Sequence, residues 1–434
     1  MLKGTPLANS RIETAQAVAP PHAPIPRILC AAMALQFAAG GAVIPFITLL
    51  LRDRGLDFAH VSQIFLASSA SLLVFPFLWG MLADRWVPLN RLFTALNLLA
   101  ALALVGLAAQ GSFAGSLAAF TIFVACLSPM LMLINALGFH HLPNPGMQFG
   151  WLRAWGSMGW IVPFLPISLL AWRDGDLHFT LWLGAALCLA MAIFSFWLPH
   201  TPPGGGRNIL GKPSRDAYRS AIKGLLGNPN YLVLLAAMFL VAGGYSLLTY
   251  YSPPLLEEVG VPRPWIGPIQ GIGVVSEIIL LPCQAWLIRR WNYTTIILSG
   301  CLALFARHVL FALSASPWVL SLSYPLAGMV IVFFHMGASV LVNVMAAREV
   351  RATAQTLLVF FGSGLGPMFA NWAAGRIAGH FQNQLRPVFL FASVLAACAA
   401  LLILLRGRQL NHGSRARNTA IPEVDAAENA EYLH

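Results

Sequence analysis

Apolar residues in this chain gather in twelve long runs separated by short polar breaks. The runs lie at roughly 27–51, 60–82, 89–110, 113–139, 148–172, 178–198, 230–255, 263–288, 293–314, 317–345, 352–379 and 385–405. Each matches the roughly 20 residues that carry a helix across the hydrocarbon of a bilayer. The pattern predicts an all-α membrane protein with twelve transmembrane helices. The longest interior polar stretch, 199–229, holds TPPGGG followed by Arg207, Lys212, Arg215, Arg219 and Lys223, and it divides six runs from six. The expected organisation is a six-helix bundle over 27–198, a cytoplasmic central loop over 199–229 and a second six-helix bundle over 230–406. Tails at 1–26 and 407–434 are expected to be disordered and cytoplasmic. The first tail is rich in Ala and Pro (AVAPPHAPIP), and the run after it is longer than a signal core and has no A-x-A site.

Composition agrees. Of 434 residues, 58% are hydrophobic and only 9% charged, against about 25% charged in soluble chains. A net charge of +11 could mark a nucleic-acid binder, but its distribution says otherwise. Eighteen of the 26 Lys and Arg fall in the tails and alternate loops on one side of the bundle. That asymmetry makes the side cytoplasmic, and an even number of spans puts both termini there. Cys30, Cys126, Cys188, Cys283, Cys301 and Cys398 all lie in apolar runs without CxxC or metal-ligand spacing, so they read as small hydrophobes. Neither metal nor cofactor is expected.

A few ionisable groups interrupt this apolar background. Glu277 sits in GPIQGIGVVSEIILLPCQAWLI, about 14 residues into its run and thus near the membrane midplane. A carboxylate there costs roughly 2.5–3.5 kcal/mol unless it faces a protein interior or a wet cavity. Arg307 (CLALFARHVLFA) is the cation expected to pair with it, unless its long side chain reaches the interface. His308 beside it points about 100° away and is expected to be peripheral. His335 titrates near neutral pH and suits a proton relay, or else is a hydrogen-bonded interior residue. Arg153 offers a planar fork of donors, or is an interface charge. Trp155 and Trp160 either form a stacking platform beside it or serve as packing residues. Gln36, Asn135 and Tyr245, with Gln63, Tyr250, Gln270, Asn343, Gln355 and Asn371, read either as cavity polars or as hydrogen bonds between helices. No Walker A pattern, Ser-His-Asp set or metal cluster emerges, so the chain is not expected to be an enzyme.

The two halves also echo one another. MLADRW (81–86) and WLIRRW (286–291) end the second and eighth runs, and GSMG (156–159) and GSGLG (362–366) fall in the fifth and eleventh.

GMLADR (80–85) resembles the G-x-x-x-D-R/K loop signature of the major facilitator superfamily, with Gly80 allowing close helix approach and Asp84 and Arg85 serving the conformational switch. LRAWGSMGW (152–160), GVVSEIILL (273–281) and the stretch 333–377 resemble the branch holding phenylpropionate permeases, nucleoside–proton symporters and, more distantly, lactose permease. The resemblance covers all twelve runs. It implies two pseudo-repeats of six helices and proton-coupled uptake of a small organic solute at the plasma (inner) membrane by a monomer. Arg153 would contact the solute, and Glu277, with Arg307 and His335, would handle the proton. Val274 and Val332 stand where the nucleoside symporters carry Gln and Asp, and the G-P-x-x-G-G ending of drug antiporters is missing from the fifth run. The expected solute is therefore a small aromatic carboxylic acid, with a nucleoside or sugar as the alternative. A non-transporting sensor or chaperone on the same fold is the alternative from another class.

Overall fold

The computed structural model describes residues 24–109, 111–143, 145–201, 215–347 and 350–418. Among them are twelve membrane-spanning helices, here called spans 1 to 12: Arg27–Asp53, Phe58–Ala83, Leu89–Ala109, Phe113–His141, Gln148–Arg173, Phe179–Trp197, Pro229–Glu258, Arg263–Gln284, Trp286–Leu313, Pro317–Met345, Arg351–His380 and Arg386–Gly407. Eleven begin within a few residues of expectation; spans 8 and 9 form a nearly continuous helix whose turn lies at Asn292, one residue before the expected start of the ninth run. Asn292 turns the chain at a left-handed φ of 71°, and its side-chain oxygen accepts from the Thr295 N–H at 3.1 Å.

Two expectations for the polar segments change. Within 199–229 the chain forms an amphipathic helix, Arg215–Leu226, while 202–214 lie outside the described residues. The final helix runs on through Asn418, so 407–418 is helical; 419–434 and 1–23 lie outside the described residues.

Several spans are broken at mid-membrane. Pro45 divides span 1 and Pro163 divides span 5, because proline removes a helical N–H and clashes with the carbonyl four residues back. Spans 10 and 11 each carry a π-helical stretch, Val330–Met336 and Phe360–Leu365. Broken spans leave backbone groups free where they can line a cavity.

The pseudo-repeat is visible in how each half is tied. Span 5 lies against span 1 so closely that a Cβ on Gly159 would run into the Ala34 carbonyl, and one on Gly41 into that of Trp160. Span 11 meets span 7 in the same manner, with Gly366 against the Phe239 carbonyl and Gly243 against Gly366. The two crossings use matching sequence, Ala39-Gly40-Gly41 and Ala242-Gly243-Gly244, with the GSMG and GSGLG stretches as their partners.

Both bundles meet most closely at the end away from the termini. Arg263 of span 8 grips Asp53 of span 1 with two hydrogen bonds, at 2.6 and 2.9 Å, and donates to the Gly175 carbonyl at 3.1 Å. Its Nε is held by Glu257 at 2.5 Å. Nearby, the Ser168 hydroxyl donates to the Pro264 carbonyl, the Phe58 N–H to Asn383 Oδ1 at 3.3 Å, and Ser62 presses on Gly375. Phe65 stacks on Tyr250 with ring centroids 3.9 Å apart. Toward the termini the contacts thin to Leu73 against Gly364 and Phe77 beside Phe360. Among the described residues, the halves are thus closed at the far end and hold fewer contacts at the end where span 1 begins and span 12 finishes.

Candidate functional site

A cavity of about 400 Å³ lies between the halves at mid-membrane. The broken parts of spans 1, 5, 10 and 11, with spans 7 and 8, contribute its walls, including Pro45, Trp160, Phe164, Tyr245, Tyr250 and Tyr324. Among the described residues, the Arg, Lys, Asp and Glu side chains that line it are Arg153, Glu277 and Arg307. The lining therefore carries two guanidinium groups and a single carboxylate.

Glu277 is buried, and its partner is Arg153, not Arg307 as the sequence suggested. Arg153 Nη2 lies 3.6 Å from Glu277 Oε1. Ser157 joins the pair: Arg153 Nη1 donates to Ser157 Oγ at 3.0 Å, and Ser157 Oγ donates to the same Glu277 oxygen at 3.0 Å. The guanidinium carbon of Arg153 sits 4.5 Å from the centroid of the Phe37 ring. Arg153 and Ser157 are on span 5 and Glu277 is on span 8, so this triad ties the first half to the second. Sequence reasoning passes over Ser157, although its i+4 spacing from Arg153 puts both on one helix face.

Arg307 reaches neither Glu277 nor the interface. It is 2% exposed and lies over the Tyr324 ring at 4.5 Å and beside Phe311 at 5.6 Å. Its Nε and Nη2 have no hydrogen-bond partner among the described residues. Tyr324 is itself fixed by Ser252, with the two hydroxyl oxygens 3.0 Å apart. His308 is fully buried against Gly244 and Phe389, not peripheral, because span 9 is packed on the side that its ring faces.

The remaining expected residues divide. Trp160 and Tyr245 line the cavity. Trp155 is 45% exposed and does not join the platform: two residues past Arg153 it is turned some 200° around the helix. Gln36 is buried and accepts from Asn97 at 3.1 Å, tying span 1 to span 3. Asn135 donates to the Leu131 carbonyl of its own helix at 2.9 Å. His335 stands one layer back, its ring 5.6 Å from that of Tyr245. Gly80 has open space where a Cβ would be, so no close helix approach depends on it here. Arg85 is exposed, and the side chain of Asp84 lies outside the described residues.

The family model described as the MFS_1 like family matches residues 28–391. The chain belongs to that family. It is a major facilitator superfamily transporter, a multi-pass membrane protein and not an enzyme. Among its relatives, the maltose permease of Geobacillus stearothermophilus is 26% identical over 385 residues, covering 86% of this chain and 93% of that protein. The nucleoside permease NupG of Escherichia coli is 23% identical over 349 residues, covering 76% and 81%. A probable 3-phenylpropionic acid transporter of Escherichia coli is 24% identical over 325 residues, covering 73% and 79%. The crystal structure of the nucleoside transporter NupG superposes with a TM-score of 0.74 at 20% identity over 87% of this chain and 98% of that one, which shows the shared fold.

Proposed function

We propose that this transporter carries a small organic solute, an aromatic carboxylic acid, into the cell together with a proton by alternating access. The observation that supports coupling is the Arg153–Ser157–Glu277 triad, which ties the halves together on the cavity wall. The ion pair within that tie exists only while Glu277 is a carboxylate. A proton on Glu277 removes its charge and weakens a contact that must break for the halves to rock.

Charge balance links proton and solute. The lining already has one more cation than carboxylates, and protonating Glu277 adds a second unpaired cation to a site of low dielectric. A bound monoanion offsets that cost. Two unit charges about 8 Å apart at an effective dielectric near 20 interact by on the order of 2 kcal/mol. Each ligand therefore favours the other, and the effect is reciprocal. The aromatic lining supplies the apolar faces that a flat ring needs. His335, behind Tyr245, is outside this scheme.

The excess of Lys and Arg at the termini end supports a cytoplasmic placement of that end, in the plasma (inner) membrane. The cavity then faces inward, the state from which solute is released. The protein works as a monomer, since both halves of the site come from one chain. Nucleoside or sugar symport is the second reading, favoured by the maltose and nucleoside permeases among the relatives.

Uptake into proteoliposomes with an imposed pH gradient tests the proposal, using 3-phenylpropionate, a nucleoside and maltose. Accumulation of the acid above its equilibrium level, abolished by a protonophore, is expected. Accumulation of the nucleoside or maltose instead selects the second reading. Uptake that is insensitive to the gradient rejects coupling.

A further inference from the structure

We propose that Arg307, not Arg153, is the receptor for the acid group of the solute. The sequence suggested the opposite assignment. The inference rests on the reading of the solute as an organic acid and deepens it by naming the group that recognises the acid.

Arg153 is engaged: it contacts Ser157, Glu277 and the face of Phe37. Arg307 is the more deeply buried of the two, and beyond its contact with Tyr324 two of its three nitrogens are without a partner among the described residues. The nitrogens without partners are Nε and Nη2. These form the parallel edge of the guanidinium, the pair of N–H groups that grips both oxygens of a carboxylate. A buried cation with that edge unfilled is costly in a membrane bundle and is kept where it has a function. The residue is held in place for the task. Tyr324 lies beneath its guanidinium and is fixed by Ser252, and both residues line the cavity. Next in sequence, His308 is clamped between Gly244 and Phe389, which sets the rotation of span 9 and keeps Arg307 turned inward.

An acid on Arg307 would place its ring among Tyr245, Tyr324 and Trp160. Tyr245, Arg307 and Glu277 line the same cavity, so the bound anion and the titrating carboxylate share one site. Arg153 then serves the lock and Arg307 the solute, and the two cations have separate duties.

The test compares binding of 3-phenylpropionate with that of its uncharged amide, 3-phenylpropionamide, by calorimetry on purified protein without any gradient. Wild type is expected to prefer the acid by roughly tenfold or more, the worth of a bidentate charged contact. Arg307→Gln should abolish that preference while leaving affinity for the amide within about twofold, because only the acid uses the vacant edge. Arg307→Lys should retain part of the preference, keeping the charge without the fork. The empty Arg307→Gln protein should melt no lower than wild type, since it loses an unpaired buried cation. A retained acid preference in Arg307→Gln, or a much lower melting temperature when empty, overturns the proposal. Absence of acid preference in wild type also overturns it, even if gradient-driven uptake of another solute upholds symport. Conversely, acid preference lost in Arg307→Gln without any gradient-driven uptake would sustain this inference and reject coupling.

Discussion

Asp53→Asn should open the far mouth of the transporter. Asp53 accepts two hydrogen bonds from Arg263, at 2.6 and 2.9 Å, across the boundary between the halves. The substitution keeps the shape and removes the charge, and Arg263 is not stranded because Glu257 holds its Nε. The side chains of Arg263 and Asp53 are 25% and 37% exposed, so water screens the pair and the buried-pair scale does not apply. The top of the exposed range is appropriate for bidentate geometry, about 1 kcal/mol. Because the contact exists only while the far mouth is closed, its loss shifts the equilibrium toward the other state by roughly fivefold. The reporter is Ser62→Cys, which is buried against Gly375 in the closed mouth, in a background with Cys283 and Cys398 changed to Ser. A membrane-impermeant maleimide, applied to each side of vesicles in turn, should label it about fivefold faster in Asp53→Asn from the far side only. High salt should narrow the difference. Glu257→Gln, which alters a contact within one half, should change the rate much less. An unchanged rate in Asp53→Asn, or an equal rise in Glu257→Gln, would refute the lock.

Three further outcomes follow from the packing and the site. Removing one member of the Arg153–Glu277 pair strands the other, so Arg153→Gln should lower thermal stability by roughly 1–3 kcal/mol, less than for a dry pair because the cavity admits water; Glu277→Gln added to it should recover part of that loss, and simple additivity in a double-mutant cycle would end the pairing. Gly159→Ala drives a methyl into the Ala34 carbonyl and should destabilise by roughly 1–3 kcal/mol, whereas Gly80→Ala, with open space at that position, should not; melting curves of the two purified variants check both. His335→Gln should leave gradient-driven uptake largely intact, because Tyr245 separates it from the cavity; loss of accumulation would return His335 to the proton path.

Most of the fold is legible in the sequence because a bilayer demands long apolar runs, and twelve such runs leave little choice. The turn before span 9 is legible to within a residue, at Asn292, although no Gly or Pro marks it. The charged site residues are conspicuous for the same reason as the spans: Arg153, Glu277 and Arg307 each interrupt hydrocarbon-like sequence. Which cation meets the carboxylate is not legible, since Arg153 and Glu277 belong to different halves, and the Ser157 that joins them is 120 positions from Glu277. Helical spacing holds further information. It places Ser157 and Trp160 on the face of Arg153 and turns Trp155 away. The matched AGG triplets at 39–41 and 242–244 likewise mark the equivalent helix crossings, one in each half of the chain.

The most direct test of the central claim is Glu277→Gln in proteoliposomes, assayed two ways with whichever solute the wild-type protein accumulates. A neutral side chain at 277 cannot alternate between carboxylate and acid. The account predicts that accumulation driven by a pH gradient is lost while exchange of internal for external solute persists. If Glu277→Gln still concentrates the solute against its gradient, Glu277 does not carry the coupling.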